Sequence, residues 1–126
     1  MKQAIITDKV PAAIGPYSLG IQAGKMVFLS GQLPIDSATN QLIEDDIQVQ
    51  TRQILNNIQA ILNAAGGSLA NVVKTTIFLK DMDDFAAVNE AYGEFFTNPA
   101  PARSCVAVAC LPKNADIEIE VIAVLP

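Results

Sequence analysis

Residues 116–125 read Asp-Ile-Glu-Ile-Glu-Val-Ile-Ala-Val-Leu, and the period of this stretch decides the fold class. Ile117, Ile119, Val121, Ala123 and Leu125 recur at every second position, which is the spacing of a strand with one buried face. The other face carries Asp116, Glu118, Glu120, Ile122 and Val124, so it is acidic at one end and apolar at the other. Working outward, Ser104–Leu111 is nearly continuous in Val, Ala and Cys and reads as a further strand. Val72–Lys80 alternates, with Val73, Thr75, Ile77 and Leu79 on one face. Lys25–Ser30 runs from Gly24 to Gly31 and also reads as strand.

Two segments change period. Over Asp46–Ala65 the residues Ile47, Ile54, Leu55, Ile58, Ile61, Leu62 and Ala65 form one stripe at 3.6-residue spacing, which predicts a helix. Asp45 with Gln48 resembles a capping box, and Gly66-Gly67 supplies the stop. Gln48, Arg52, Gln53, Asn56, Gln59 and Asn63 form a face expected to be solvated. A second helix is predicted over Asp84–Phe96, with Phe85, Val88, Tyr92, Phe95 and Phe96 on its stripe and Asp81, Asp83 or Asp84 as cap. Asn89 falls on that apolar stripe and needs a hydrogen-bonding partner there, from a neighbouring loop or from a ligand. Strands at both ends and two helices between them predict an α+β sheet with the helices on one face. No further helix is available for the second face, which predicts cover by another subunit.

The chain has 126 residues, the length of one domain, and residues 1–126 are read as a single unit without repeats or linkers. Hydrophobic residues make up 51% and charged residues 17%, a composition that buries a core and argues against disorder. Histidine is absent. That excludes Ser-His-Asp and Cys-His machinery, an imidazole base and His-ligated zinc. A net charge of −5, with only 8 Lys and Arg and no basic run, argues against nucleic acid and against an anionic membrane surface. The start, Met1–Asp8, has too short an apolar stretch to be expected as a signal peptide, and no apolar run approaches the length a bilayer requires. Cys105 and Cys110, five apart in one predicted strand, are expected on opposite faces about 16 Å apart, too far for a disulfide. Reduced thiols fit a cytoplasmic protein.

Several residues carry chemistry. Arg103, in Pro101-Ala102-Arg103-Ser104-Cys105, offers a planar fork that matches a carboxylate, with a salt bridge as the plain alternative. Glu118 and Glu120 on a partly apolar face suit a general base or water-orienting carboxylate, with simple solvation as the alternative. Gly15-Pro16-Tyr17-Ser18 is a turn that presents a phenol, either packed or held over a pocket. Ser30-Gly31-Gln32 ends a strand with a hydroxyl and a glycine suited to close backbone approach. Cys105 has no base near it in sequence, so it reads as a structural or ligand-lining thiol.

These segments recur together in one family. Pro11–Ser18, Ser30-Gly31-Gln32-Leu33-Pro34, Gln50-Thr51-Arg52, Val73-Lys74-Thr75-Thr76, Asp84–Asn89, Pro101–Cys105 and Ile117-Glu118-Ile119-Glu120 stand in order over nearly the whole chain. The chain resembles the RidA (YjgF-type) family of enamine/imine deaminases. The resemblance implies a chorismate-mutase-like α+β fold, a six-stranded mixed sheet with two helices on one face. It also implies a homotrimer with a central β-barrel and clefts between subunits. The implied activity is hydrolysis of 2-aminoacrylate/2-iminopropanoate and 2-iminobutanoate to 2-oxo acids and ammonia, a hydrolase reaction at C=N bonds that uses no cofactor or metal. Carried over by position, Arg103 matches the residue that binds the substrate carboxylate and Glu118 the one that positions the attacking water. Tyr17, Ser30, Asn89 and Cys105 match pocket-lining positions. Thr97-Asn98-Pro99-Ala100 is shorter than in many relatives, with Ala100 where a larger residue is frequent, and so bears on the pocket entrance. Two rival functions are a non-catalytic regulator that binds 2-oxo acids and, less well matched to the acidic charge, a ribonuclease or chaperone-like protein.

Overall fold

A computed structural model describes all 126 residues. In chain order the elements are β1 (Lys2–Ile5), β2 (Gly20–Ala23), β3 (Met26–Gln32), β4 (Ile35–Asp36), β5 (Gln41–Leu42), α1 (Ile47–Ala64), β6 (Val72–Leu79), α2 (Phe85–Gly93), β7 (Ala102–Ala107) and β8 (Ile117–Val124). Six strands form one sheet in the order β1-β2-β3-β8-β6-β7, and β4-β5 is a separate small hairpin. β6 and β7 run parallel, joined by α2, while the other neighbours are antiparallel, so the sheet is mixed as expected.

The alternation in β8 does what its period predicts. Ile117, Ile119, Val121 and Ala123 are buried against the helices with Val27, Leu29, Ile77 and Leu79 from neighbouring strands. Across them lie Ile54, Leu55, Ile58, Ile61 and Leu62 of α1 and Val88 and Tyr92 of α2. On the outer face Met26, Phe28, Val106 and Val124 lie exposed in rows beside Glu118 and Glu120. That face has no layer of its own chain over it.

Several expectations need correction. Asp46, not Asp45, caps α1, accepting from the Gln48 and Val49 amides at 2.9 and 3.0 Å. The Gln48 side chain crosses to the Ala87 carbonyl at 3.0 Å instead of completing a capping box. Nor is that face of α1 uniformly solvated. Gln48, Arg52, Gln53 and Gln59 are half-buried, and Gln59 accepts from the Leu69 amide. Arg52 meets Glu94 through two parallel bonds of 2.9 and 3.0 Å, tying α1 to the end of α2. The stop after α1 is as read: Gly66 takes φ +88°, and the Gly66 and Gly67 amides close onto Asn63 and Leu62.

α2 ends at Gly93, so Phe95 and Phe96 pack on the core from the turn beyond it. A bulge in the β6–β8 ladder at Val72–Lys74 turns Val72 inward and leaves Val73 exposed, against the simple alternation. β7 stops at Ala107 because its one neighbour, β6, stops at Leu79, whose carbonyl takes the last amide, from Val108. Cys110 therefore lies outside the strand, and the spacing argument for the two thiols does not apply; both are free. No helix is long and apolar enough to cross a membrane.

Candidate active site

The candidate residues fall into two groups. The first is built on β7 and α2. Arg103 sits beside Thr75 in the β6–β7 register, on the helix side of the sheet. Its Nη1 donates to Asn89 Oδ1 at 2.7 Å. Its guanidinium carbon lies 5.4 Å from the Phe85 ring centroid and 5.1 Å from that of Tyr92, within cation–π range. Phe85, Asn89 and Tyr92 are spaced i, i+4, i+7, so one helix face presents all three to the arginine. This settles Asn89: its partner is Arg103. The guanidinium makes no salt bridge, and its outer edge stays exposed. Cys105 pairs with Ile77 and is half-buried. Burial pushes its thiol up, against a weaker opposing pull from Arg103, so it is held as a neutral thiol.

The second group is built on β3, β8 and the turn before β2. The ladder between β3 and β8 shifts between Leu29 and Gln32, so Ser30 and Gly31 form a bulge next to Glu118. Ser30 donates its hydroxyl to the Ser18 carbonyl at 2.6 Å, and its amide bonds Leu19 at 2.9 Å, pinning the Tyr17 turn to the sheet. Tyr17 is 54% exposed and borders a small hollow with Gly31 and Gln32. Its turn is closed by the Tyr17 amide on the Gly15 carbonyl, with Gly15 at φ +117°, a conformation that favours glycine. Glu118 lies directly over Gly31: a Cβ there would stand 2.5 Å from Glu118 Oε2. Burial, and second the Glu120 charge two residues on, raise the Glu118 carboxyl above its ordinary range.

The two groups do not meet within one chain. Arg103 is in register with inward-facing Thr75, whereas Glu118 is in register with outward-facing Phe78. Two strand spacings and three residues separate them, about 14 Å between Cα atoms, and their side chains leave opposite faces. No cluster of three or more His, Cys, Asp or Glu side chains is placed to hold a metal ion. Thr97, Pro99, Ala100 and Pro101 wall a hollow of about 500 Å³ with Phe95 and Phe96, and none of the candidate site residues lines it. What the sequence did not single out is the use of Phe85 and Tyr92 as the arginine's platform. Their spacing with Asn89 was the available signal, but an aromatic stripe on a helix reads equally well as core.

Comparison with known proteins agrees with this fold. A family model described as endoribonuclease L-PSP matches residues 7–125. The chain is 52% identical to the 2-iminobutanoate/2-iminopropanoate deaminase of Salmonella typhimurium, over 98% of both chains. It is 54% identical to a RutC family protein of Pyrococcus horikoshii, again over 98% of each. Among solved structures, Escherichia coli TdcF with bound serine superposes with a TM-score of 0.93 at 46% identity, covering 98% of this chain and 99% of that one.

Proposed function

The chain belongs to the RidA (YjgF-type) family, which the endoribonuclease L-PSP model describes, and on that premise we propose that it hydrolyses reactive enamine and imine intermediates to 2-oxo acids and ammonia. The observation that carries the reading is the division of the site between two faces of one sheet. An arginine fork over aromatic rings suits a small carboxylate, and a raised carboxylate beside a bulge suits a water. Each is half of a site for the same substrate. The halves complete one another when the outer face of one copy, bearing Tyr17, Ser30, Gly31 and Glu118, meets the edge of the next, where β7 bears Arg103 and Cys105 and α2 bears Asn89. The exposed apolar rows beside Glu118 provide the contact surface. The assembly is a homotrimer with three such clefts.

The chemistry asks little of the protein. In 2-iminopropanoate or 2-iminobutanoate the C2 carbon is already electrophilic. Arg103 holds the C1 carboxylate, and Glu118 of the neighbouring copy accepts a proton from water as its oxygen bonds to C2. The same carboxyl passes that proton to nitrogen to give the carbinolamine, then takes the remaining hydroxyl proton and passes it to nitrogen as C2=O forms and the C–N bond breaks, releasing ammonia and leaving the 2-oxo acid. A substrate that arrives as 2-aminoacrylate first tautomerises, taking a proton from water at C3 and giving one back from nitrogen, to become the imine. The carboxyl must be ionised to start and protonated to finish, and a pKa raised toward neutrality serves both steps. Two further facts support catalysis over regulation and over RNA. Binding a carboxylate needs Arg103 but not Glu118, and neither half-site carries a second Lys or Arg for a phosphate backbone.

The test is release of ammonia and pyruvate when the purified protein meets 2-aminoacrylate generated in situ by a serine or threonine dehydratase. Acceleration over spontaneous hydrolysis by the wild type, lost in Arg103→Ala, is the expected result. Wild type and variant alike at the spontaneous rate, with 2-oxobutyrate still bound, would move the assignment to a ligand-binding regulator.

A further inference from the structure

Arg103 is exposed at its outer edge, yet a carboxylate anchor works only if its fork waits in one place. Asn89 fixes one nitrogen. The remaining freedom is a swing of the guanidinium plane, and what limits that is the ring beneath it. The Tyr92 ring is held at both ends. Its face meets Phe96 at 4.6 Å between centroids, and its hydroxyl lies 2.8 Å from Thr75 Oγ1 in the core, where Thr75 is 0% and Tyr92 6% exposed. Thr75 is also the β6 residue in register with Arg103. The contacts therefore close a ring: strand ladder from Thr75 to Arg103, guanidinium to Tyr92, phenol back to Thr75.

Packing does not explain the two hydroxyls. A Phe and a Val would fill the same space, and replacing both partners of a buried hydrogen bond by apolar groups of the same shape is often nearly neutral for stability. What the pair adds is direction. The hydroxyl lies on the axis of the ring, so its bond to Thr75 leaves the ring free to turn about that axis but stops it from leaning toward or away from the arginine. We propose that the Thr75–Tyr92 hydroxyl pair is a positioning device that sets the Arg103 fork for a small carboxylate. The inference rests on the anchoring role proposed above for Arg103, and not on turnover.

The experiment measures binding of 2-oxobutyrate by calorimetry together with the Arg103 Nε–Hε signal by NMR, which feels the ring currents of Phe85 and Tyr92. Tyr92→Phe and the double variant Thr75→Val/Tyr92→Phe are compared with wild type. The expected result is a Kd raised about fivefold in both, the equivalent of one neutral hydrogen bond, with the Arg103 signal displaced. The double variant, which leaves no orphaned hydroxyl, keeps a Tm near that of wild type. In turnover, KM rises while kcat stays within about twofold. Thr75→Ser keeps the hydroxyl and retains wild-type binding. A double variant that binds 2-oxobutyrate like wild type overturns the proposal wherever its Tm lies, and if it does not fold, Tyr92→Phe alone decides by the same Kd. A wild type that binds 2-oxobutyrate without hydrolysing imines removes the deaminase reading and leaves this one standing. A wild type that does not bind it removes the anchor and this proposal together.

Discussion

If each cleft takes Arg103 from one copy and Glu118 from the next, two inactive variants restore one another. Arg103→Ala alone leaves every cleft without its anchor, and Glu118→Ala alone leaves every cleft without its base. In assemblies formed from equal amounts of both, a given cleft is intact when its arginine side comes from the Glu118→Ala chain and its glutamate side from the Arg103→Ala chain. Each has probability one half, so about one quarter of clefts, and about one quarter of wild-type activity, return. The fraction follows from the opposed faces of Arg103 and Glu118 in one chain. A site contained in a single chain would give no recovery at any mixing ratio. The assay is 2-oxo acid release from mixtures refolded together, with the mixed assemblies verified by native mass spectrometry on chains of distinguishable mass. Verified mixed trimers with no more activity than either parent would refute the shared site.

Other outcomes follow from the geometry around Glu118 and Arg103. In Gly31→Ala the new methyl would stand 2.5 Å from Glu118 Oε2, 2.7 Å from its Cδ and 3.1 Å from its Cγ, so the Glu118 side chain and no backbone has to move. Turnover should fall about 100-fold, as for a misplaced reacting group, while the Tm shifts little; an unchanged rate would show that the carboxylate need not lie there. Glu118→Gln tests stability against pH. The folded carboxyl is raised, first by burial and then by Glu120, so ionising it costs folding free energy as pH rises through the folded value. The variant should be the more stable at pH 7, by less than about 1 kcal/mol because the group is only half-buried. Urea melts should show that gain fading below the ordinary value of 4.5, and a loss at pH 7 would contradict the sign. Glu120→Gln removes a like charge and should move the acidic limb of the rate profile to lower pH, and a limb that stays put would assign the raised carboxyl to burial alone. Arg103→Lys gives up the fork and the Asn89 bond, so KM should rise about 10- to 100-fold, where a near-normal KM would reduce the anchor to a point charge.

Most of the sheet was legible because its central strands obey simple periods. β8 alternates without a defect, and the apolar stripe of α1 names the residues it buries. What failed was local. Val73 was misplaced because a bulge interrupts the alternation of β6, and a bulge leaves no mark on a run of β-branched residues. Residues 108–111 look like strand in composition but have no neighbour beyond Leu79, and pairing is a property of the partner, not of the segment. Gln50, Thr51 and Asn57 are buried polar residues on α1 that an apolar-stripe reading passes over. They are satisfied by Asp116, by the Ile47 carbonyl and by the Ile35 carbonyl.

The site shows the same boundary between what a period fixes and what it does not. Alternation places Glu118 opposite Ile117 and Ile119, and it would place Arg103 relative to Ser104, but each statement holds within one strand. Whether the two side chains share a face depends on how β7 is registered on β6 and β6 on β8. The parallel pairing of Thr75 with Arg103 and the antiparallel pairing of Phe78 with Glu118 set that relation, and neither is written in the local sequence. Once the register is known, an arginine fork on one face and a raised carboxylate on the other, both with open edges, have no common ligand inside one chain. The outer face beside Glu118 is apolar where Met26, Phe28 and Val124 stand exposed, so in the proposed assembly this face, which covers neither copy's core, would complete both sites. Assembly and catalysis are then one requirement: a substitution such as Phe28→Glu, which touches neither Arg103 nor Glu118, should abolish turnover in step with the loss of trimer by light scattering. Activity surviving in the monomer would separate the two.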